Sequence, residues 1–459
     1  MNKEMFDGFK DIKASHHLIS QTKSKMIAAG EKKNKSFSYR KLSFSMIPVI
    51  LILLAFTMFY SSMPFNKTAQ AEGDLMAGVA AKKIDVRGAL SDKFINSTQS
   101  FSIELFKNTV TSGKNSLISP TSVFFALGMT ANGADGETLN AFRTVLAKDG
   151  LTLGELNKEY KAYADELTQG RGSTALYIAN SIWFRDDFTP KAEFLQNNAD
   201  YFGAGARKLD FNDKTSADVI NNWVRDNTNG KIEKTIEEIN PGDIMHLINT
   251  IYINAKWEKP FDIGQKASQG KFYLGNGTTQ TTMFMHLSSQ LDYMSSSSAS
   301  AVLLPYDDGR LAFLCILPNE GLKLYEYIET MDERTITELM IQKTNTEIAI
   351  ELPQFKAACN YELNDVLKNM GLGSAFDGYA DFSKMGNAKE NLVISSVMHK
   401  TFLQVDEMGT EAGAVTDVMV CGGLGNPPTL VFNRPFVYAI VDTKTNLPIF
   451  IGTMENPQN

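Results

Sequence analysis

Cysteine and histidine are scarce in this chain. Three cysteines in 459 residues, Cys315, Cys359 and Cys421, are too few and too scattered for a disulfide framework. With no CxxC, no HExxH and no other Cys/His cluster, no zinc site is written into the sequence either. There is no GxSxG elbow, no Walker-type phosphate loop, and only His246, His286 and His399 lie beyond the first 71 residues, so nothing invites a hydrolase or a nucleotide-driven enzyme. Gly170-Arg171-Gly172 followed by Ala175 mimics a dinucleotide loop, but no expected strand precedes it and it reads as a surface turn. Linkers rich in Pro, Ser or Gly are missing after about Asp85, as are repeats, so the long remainder reads as one large domain.

Positive charge is short in that remainder. Residues 1–71 carry 11 Lys/Arg against 4 Asp/Glu, while the other 388 carry 34 against 48 and stand at −14. An acidic body repels a phosphate backbone and offers no face to a sulfated polyanion, which excludes nucleic acid and a heparin-type activator as partners. Hydrophobic residues at 43% and charged residues at 21% match ordinary globular composition and exclude a disordered or polytopic membrane protein.

What the N-terminus does have is one long apolar run. Leu42 to Asn66 holds 25 residues without a charge, nearly all apolar from Met46 to Tyr60, long enough to enter a bilayer. Lys32, Lys33, Lys35, Arg40 and Lys41 precede it, and the positive-inside rule then puts the N-terminus in the cytoplasm and the body outside. The expected organisation is a basic cytoplasmic region over 1–41, a signal anchor or signal peptide over 42–66, a linker over 67–90 and the main domain over 91–459. Ala69-Gln70-Ala71 offers a signal-peptidase pattern; cleavage after Ala71 secretes the domain, and its absence leaves the domain tethered to the outer face of the membrane. Contact with a membrane is expected through this segment alone.

Helical spacing opens the body, with Ile103, Phe106 and Val110 on one face, then Ser119-Pro120 as cap and first-turn proline ahead of Phe124, Leu127 and Ala131. Strand spacing follows later. Ile348, Ile350 and Leu352 alternate with Ala349 and Glu351; Ala301 to Pro305 and Leu311 to Leu317 are short apolar runs; Leu430 to Val441 is apolar on both parities, as in a strand covered on both faces. Helices early and strands late predict an α+β fold with large antiparallel or mixed sheets.

One segment fits neither pattern. Glu407 to Pro428 has no Lys or Arg and no proline before Pro427, and a structureless connection of that length in a compact domain is functional or disordered. In an extended chain Thr410, Ala412, Ala414, Thr416, Val418 and Val420 share one uncharged face, while Glu411 and Asp417 fall on the other. Such a segment can enter a sheet with its uncharged face over the core, or serve as an ordinary edge strand or loop.

From about Phe101 to Pro457 these residues resemble the serpin family. Phe432-Asn433-Arg434-Pro435-Phe436 looks like its C-terminal signature and Glu407-Met408-Gly409-Thr410-Glu411-Ala412 like its hinge. Asn221-Asn222-Trp223-Val224, Thr228-Asn229-Gly230-Lys231-Ile232, Asn249-Thr250-Ile251-Tyr252 and Lys256-Trp257 also match in order. The resemblance implies a serpin fold of three β-sheets and about nine helices with an exposed reactive-centre loop, and a monomer without cofactor, metal or catalytic residues. It implies a suicide inhibitor of serine-type, and also cysteine-type, endopeptidases. The protease cleaves the loop, and the hinge (Glu407, Gly409, Thr410, Glu411, Ala412, Gly413, Ala414, Val415, Thr416) inserts into the main sheet before the acyl-enzyme can hydrolyse.

Ser119, Ser122, Asn249 and His399 match the family's polar shutter, and Trp257 the aromatic where the loop enters. The reactive bond falls at Gly423-Leu424 counting from Glu407, or at Leu424-Gly425 counting back from Pro427-Pro428. Either suits a chymotrypsin-like, subtilisin-like or elastase-like target rather than a trypsin-like one, since no basic residue lies between Lys400 and Arg434. Cys421 is an oxidation switch within the bait or just a small apolar bait residue. The competing readings are a serpin that carries a ligand or assists folding, which calls for a hinge blocked by proline or charge, and a hydrolase, which needs nucleophile, base and orienter in one pocket.

Overall fold

The computed structural model describes residues 73–86, 88–261, 267–410 and 428–458. By its contacts the chain divides into residues 1–68 and 69–459, and every described residue belongs to the second unit. No helix among them is long and apolar enough to cross a membrane; the run Met46–Tyr60 lies outside the described residues.

Helix α1 (Asp92–Thr109) begins well ahead of the Ile103–Val110 stripe because Ser91 caps it, accepting from the Phe94 amide, and Val110 is already extended as its C-cap. Strand β1 (Ser116–Ile118) leads into α2 (Pro120–Ala131). Ser119 caps α2 through the Ser122 amide and Pro120 sits in its first turn, where a missing N–H is harmless. All residues of α2 are buried, as an apolar helix without a polar face must be. Helices α3 (Gly136–Leu146) and α4 (Leu153–Thr168) follow, the latter opened by a Thr152/Glu155 capping box. With α5 (Ala192–Asn197), α6 (Ser216–Asn227), α7 (Leu324–Thr330), α8 (Thr335–Ile341) and α9 (Asn364–Leu367), the described residues hold nine α-helices.

The main sheet has six strands in the order β11 (Phe355–Glu362), β13 (Ser396–Asp406), β14 (Gly409–Thr410), β5 (Met245–Lys256), β2 (Ala175–Arg185) and β4 (Gly205–Leu209). A nine-stranded sheet runs β1, β17 (Leu447–Met454), β16 (Phe436–Asp442), β9 (Leu311–Pro318), β8 (Ala299–Pro305), β7 (Thr279–Ser295), β10 (Thr344–Pro353) and β15 (Thr429–Val431), with β6 (Ser268–Tyr273) also on β7. The long β7 joins two sheets, pairing β6 through its first residues and β8 through its last, so these two and the six-stranded sheet make the three expected. A small ladder of β3 (Thr189–Pro190) and β12 (Gly386–Asn387) completes the set. β9, β16 and β17 are buried at every residue, which explains their apolarity on both parities. The run Leu430 to Val441, however, is two strands rather than one: Phe432-Asn433-Arg434-Pro435 separates β15 from β16, and proline cannot donate to a ladder.

Helix α6 packs Ile220 and Val224 with Trp183 of β2 and Ile248 of β5 in a separate small core. The chain beyond α6 is pinned by Asn221, whose amide nitrogen donates to the Ile236 carbonyl (2.8 Å) and whose oxygen accepts from the Thr235 and Ile236 amides (2.7 and 3.0 Å). Part of the stretch read as a linker is docked instead. Lys208 N donates to Gly73 O (2.8 Å) and Leu75 N to Ala206 O (2.9 Å), so Gly73–Leu75 straps the outer edge strand β4 and satisfies groups a bare edge leaves open.

A buried ion pair joins β16 to the start of β9. Asp442, with no exposed surface, takes Arg310 Nε at 2.9 Å and Nη2 at 2.7 Å, and Arg310 also reaches Glu166 on α4. Asp442→Ala leaves that guanidinium buried with half its partners and is expected to cost about 3–5 kcal/mol in urea unfolding; a loss below about 1 kcal/mol, typical of an exposed pair, would show that the pair contributes little.

Candidate functional site

β5 and β13 run parallel and pair directly from Ser396↔His246 to Thr401↔Ile251. Beyond Thr401 they part, and β14 enters the gap antiparallel to both, with Thr410 opposite Val405 and Ala255 and Gly409 opposite Asp406 and Lys256. The residues Glu407 and Met408 make the turn between β13 and β14, set by Asp406 Oδ1 accepting from the Met408 amide (2.9 Å). Burial pushes the Asp406 carboxyl up, against the lowering effect of that amide.

Aromatic side chains hold this mouth. Trp257, 3% exposed, donates from its indole nitrogen to Asp406 O (2.9 Å) and from its backbone to Met408 O (3.1 Å). It stacks on Tyr306 with centroids 4.9 Å apart and planes 6° from parallel. The Tyr306 and Thr410 hydroxyls lie 2.5 Å apart, and Phe261 N donates to Glu407 O (2.9 Å). Gly409 passes so close to β5 that a Cβ there would meet the Ala255 carbonyl oxygen at 2.1 Å, which only glycine allows.

Further down, His399 of β13, Asn249 of β5 and Asn180 of β2 stand directly opposite one another across three adjacent strands. Their side chains form one row. Ser119 N, a donor only, points at His399 Nε2 (3.0 Å), so Nε2 is the acceptor and Nδ1 carries the proton toward Asn249 Oδ1 (2.5 Å). Asn249 Nδ2 then donates to Asn180 Oδ1 (2.5 Å) and to Ser122, at Oγ (2.5 Å) and carbonyl (2.9 Å). Ser119 Oγ donates to Ile449 O (2.6 Å) and accepts the Ser122 amide (3.3 Å). The row thus rests on the start of α2 at His399, its first member, and at Asn249, its middle one. Burial lowers the His399 pKa to about 3, with the Asn249 contact opposing, so the ring is neutral.

The structure therefore brings Ser119, Ser122, Asn249 and His399 together and sets Trp257 against the Asp406 and Met408 carbonyls, at the turn that leads into Gly409 and Thr410. Glu411, Ala412, Gly413, Ala414, Val415 and Thr416 of the hinge, the bond residues Gly423, Leu424 and Gly425, and Cys421 lie outside the described residues. Beyond them, Pro428 O accepts from Ala349 N (2.9 Å) and β15 runs parallel to β10, so the 17 residues between Thr410 and Pro428 connect two different sheets. Sequence reading missed Asn180, Tyr306 and Phe261. A lone amide inside the apolar run Ala175–Arg185 was a signal for the first; Tyr306 carried none.

A Ser–His–carboxylate series does occur elsewhere. Ser268 Oγ lies 2.8 Å from His286 Nε2, but the nearest His286–Glu351 approach is 3.9 Å, beyond hydrogen-bond reach, so the carboxylate does not fix the ring. Ser268 is exposed at the start of β6. Cys315 is buried, its thiol pushed up by burial, and Cys359 is raised for the same reason, so neither is an activated nucleophile.

Residues 96–457 match the family model for serpin (serine protease inhibitor). A serpin-like protein of Thermococcus kodakarensis is 30% identical over 407 residues, 86% of this chain and 93% of its own. Among solved structures, the thermophilic serpin tengpin in its native state superposes with a TM-score of 0.80 at 40% identity over 84% of this chain and all of that one; its latent state gives 0.70. Thyroxine-binding globulin with thyroxine gives 0.72 at 25% identity, covering 80% of this chain and 99% of its own. Matching motifs, sheet order and a family model that spans most of the sequence lead to one conclusion: the chain belongs to the serpin family, whose members are mostly protease inhibitors, with some binding proteins, and in general not catalysts.

Proposed function

We propose that this serpin is a single-use inhibitor of serine endopeptidases, and of some cysteine ones, that traps its target by inserting its cleaved loop into the main sheet. The observation that carries this reading is the seat of β14 between two parallel strands. Thr410 faces inward, wholly buried, opposite Val405 and Ala255. A strand growing onward in that register brings Ala412 opposite Leu403 and Ile253, Ala414 opposite Thr401 and Ile251, and Thr416 opposite His399 and Asn249. All four inward residues are small and uncharged, so the segment fits a slot that a bulky or ionised side chain would jam.

The chemistry belongs to the protease. Its hydroxyl or thiol attacks the carbonyl carbon of Gly423 or Leu424, the peptide bond to the next residue breaks, that residue leaves with a protonated amine, and an acyl-enzyme remains. Loop insertion then competes with hydrolysis of the acyl bond. The absence of Lys and Arg across the loop favours chymotrypsin-like, subtilisin-like or elastase-like enzymes over trypsin-like ones. Export by the Leu42–Asn66 segment, as a secreted or surface-tethered protein, fits the same role. A carrier reading draws on the thyroxine-binding neighbour, but Thr410 through Thr416 hold neither the proline nor the inward charge that would block insertion.

Incubated with chymotrypsin, subtilisin, elastase or papain, the full chain is expected to give a covalent complex that survives denaturation and to release a peptide starting at Leu424 or Gly425. Thr416→Arg must bury an unpaired charge beside His399, slowing insertion by roughly a hundredfold or more, so this variant should be cleaved without trapping. Clean cleavage of the unmodified chain by all four, with no complex, would leave a substrate-like serpin and favour the carrier reading.

His399 gives a second expectation. Its pKa falls from 6.5 to about 3 on folding, so between those values the unfolded chain binds the extra proton and stability rises with pH. The closed state is fully stable with respect to this group above 6.5 and loses up to about 1.4 kcal/mol per pH unit below it. His399→Asn should flatten the urea-unfolding profile over this range by that slope, and an unchanged profile would mean that His399 is protonated as readily folded as unfolded.

A further inference from the structure

The main sheet ends differently on its two sides. Its edge strand β4 is strapped by Gly73–Leu75, whereas β11, the other edge, pairs with β13 alone among the described residues. Leu363 N donates to Val397 O (2.9 Å), one step beyond the last rung, Glu362↔Met398. In an antiparallel ladder such bonds fall on every second residue, so Phe355, Ala357, Cys359 and Tyr361 turn their amides and carbonyls to β13. Lys356, Ala358, Asn360 and Glu362 turn theirs outward, and all four residues are exposed. That outward set is an unmade ladder offered to another strand.

β11 has few of the devices that close an edge. It stays in register with β13 over all 8 residues without a bulge, holds no proline, and carries no charge on its inward side chains, Phe355, Ala357, Cys359 and Tyr361. Its one lysine, Lys356, is balanced within the strand by Glu362 near the other end, and neither forms an ion pair among the described residues. Turned about a twofold axis at Cys359, midway between them, an antiparallel copy of β11 sets Lys356 opposite Glu362 of the second copy and Glu362 opposite its Lys356. The same register sets Ala358 opposite Asn360, so outward amides meet outward carbonyls. Cys359 then faces its own equivalent as a pair without hydrogen bonds, which is the alternation an antiparallel ladder requires. Moving the axis by one residue either way keeps the hydrogen bonding but parts the charges. Charge therefore selects one register, and symmetry uses each pair twice.

We propose that a second copy of this chain docks on β11 in this register, joining two main sheets into one across a twofold axis at Cys359, in place of the monomer that the family resemblance implies. The pairing needs no loop insertion and goes beyond the inhibitor reading.

Sedimentation velocity of the full chain tests it, in a mild detergent that shields the apolar run Met46–Tyr60. A reversible dimer is expected, and hydrogen exchange at the amides of Lys356, Ala358, Asn360 and Glu362 should slow as the dimer forms. Lys356→Glu or Glu362→Lys alone turns both attractive pairs repulsive and should weaken association about tenfold or more. The double variant Lys356→Glu/Glu362→Lys should restore it. Both side chains are exposed, and the variants should keep the thermal midpoint of the unmodified chain. A monomer at every concentration overturns the proposal, as does a dimer that both single reversals leave untouched. A dimer that the single reversals break and the double variant fails to restore also overturns it, because another register or another surface then holds the copies together.

Discussion

Everything distinctive in this domain depends on two parallel strands meeting where a third belongs. β5 and β13 pair over six residues and then diverge, in a sheet where each of them is otherwise antiparallel to its neighbours. Parallel ladders are slightly the weaker kind, and the gap between two parallel strands admits one strand running the opposite way, paired on both sides. β14 already occupies the first two positions of that slot. The closed sheet is thus a complete fold with an unmade ladder inside it.

Under the trapping proposal, what keeps the slot shut is polar rather than apolar. The row His399–Asn249–Asn180 crosses the strands where they meet and is fastened to α2 at Ser119 and Ser122. Every member is buried, so each bond is strong in its surroundings and each broken one leaves a desolvated group behind. An incoming hydroxyl at the right level can take over the bond that opening breaks. Apolar packing would offer no such exchange. At the mouth, the Trp257–Tyr306 stack and the Tyr306–Thr410 hydroxyl pair seat the first inserted residue without committing the next.

Much of this was legible in the sequence where local chemistry decides. Ser119-Pro120 announces the start of α2, and the alternation Ile348, Ile350, Leu352 announces β10, because caps and periodicity need no distant partner. The inward parity of Thr410 followed from extended geometry alone. Boundaries were less readable. α1 starts at a cap far from its apolar stripe, and an apolar run hid the break at Pro435. The site itself was legible only through resemblance. His399 meets Ser119 across 280 positions and Asn249 across 150, and such meetings are made by strand register, which no local pattern encodes. Asn180 and Tyr306 joined the site for the same reason. The docking of Gly73–Leu75 on β4 is likewise an edge effect of the assembled sheet.

Loop insertion requires that the closed sheet have room for the loop and become more stable when it takes it. Nicking the full chain once within residues 411–427 with a non-target protease and comparing thermal unfolding before and after tests this directly. If the freed hinge completes two antiparallel ladders, the midpoint of the nicked protein rises, by about 10 °C or more. A midpoint that stays the same or falls would mean that the slot between β5 and β13 does not accept the strand, and the trapping mechanism would fall with it.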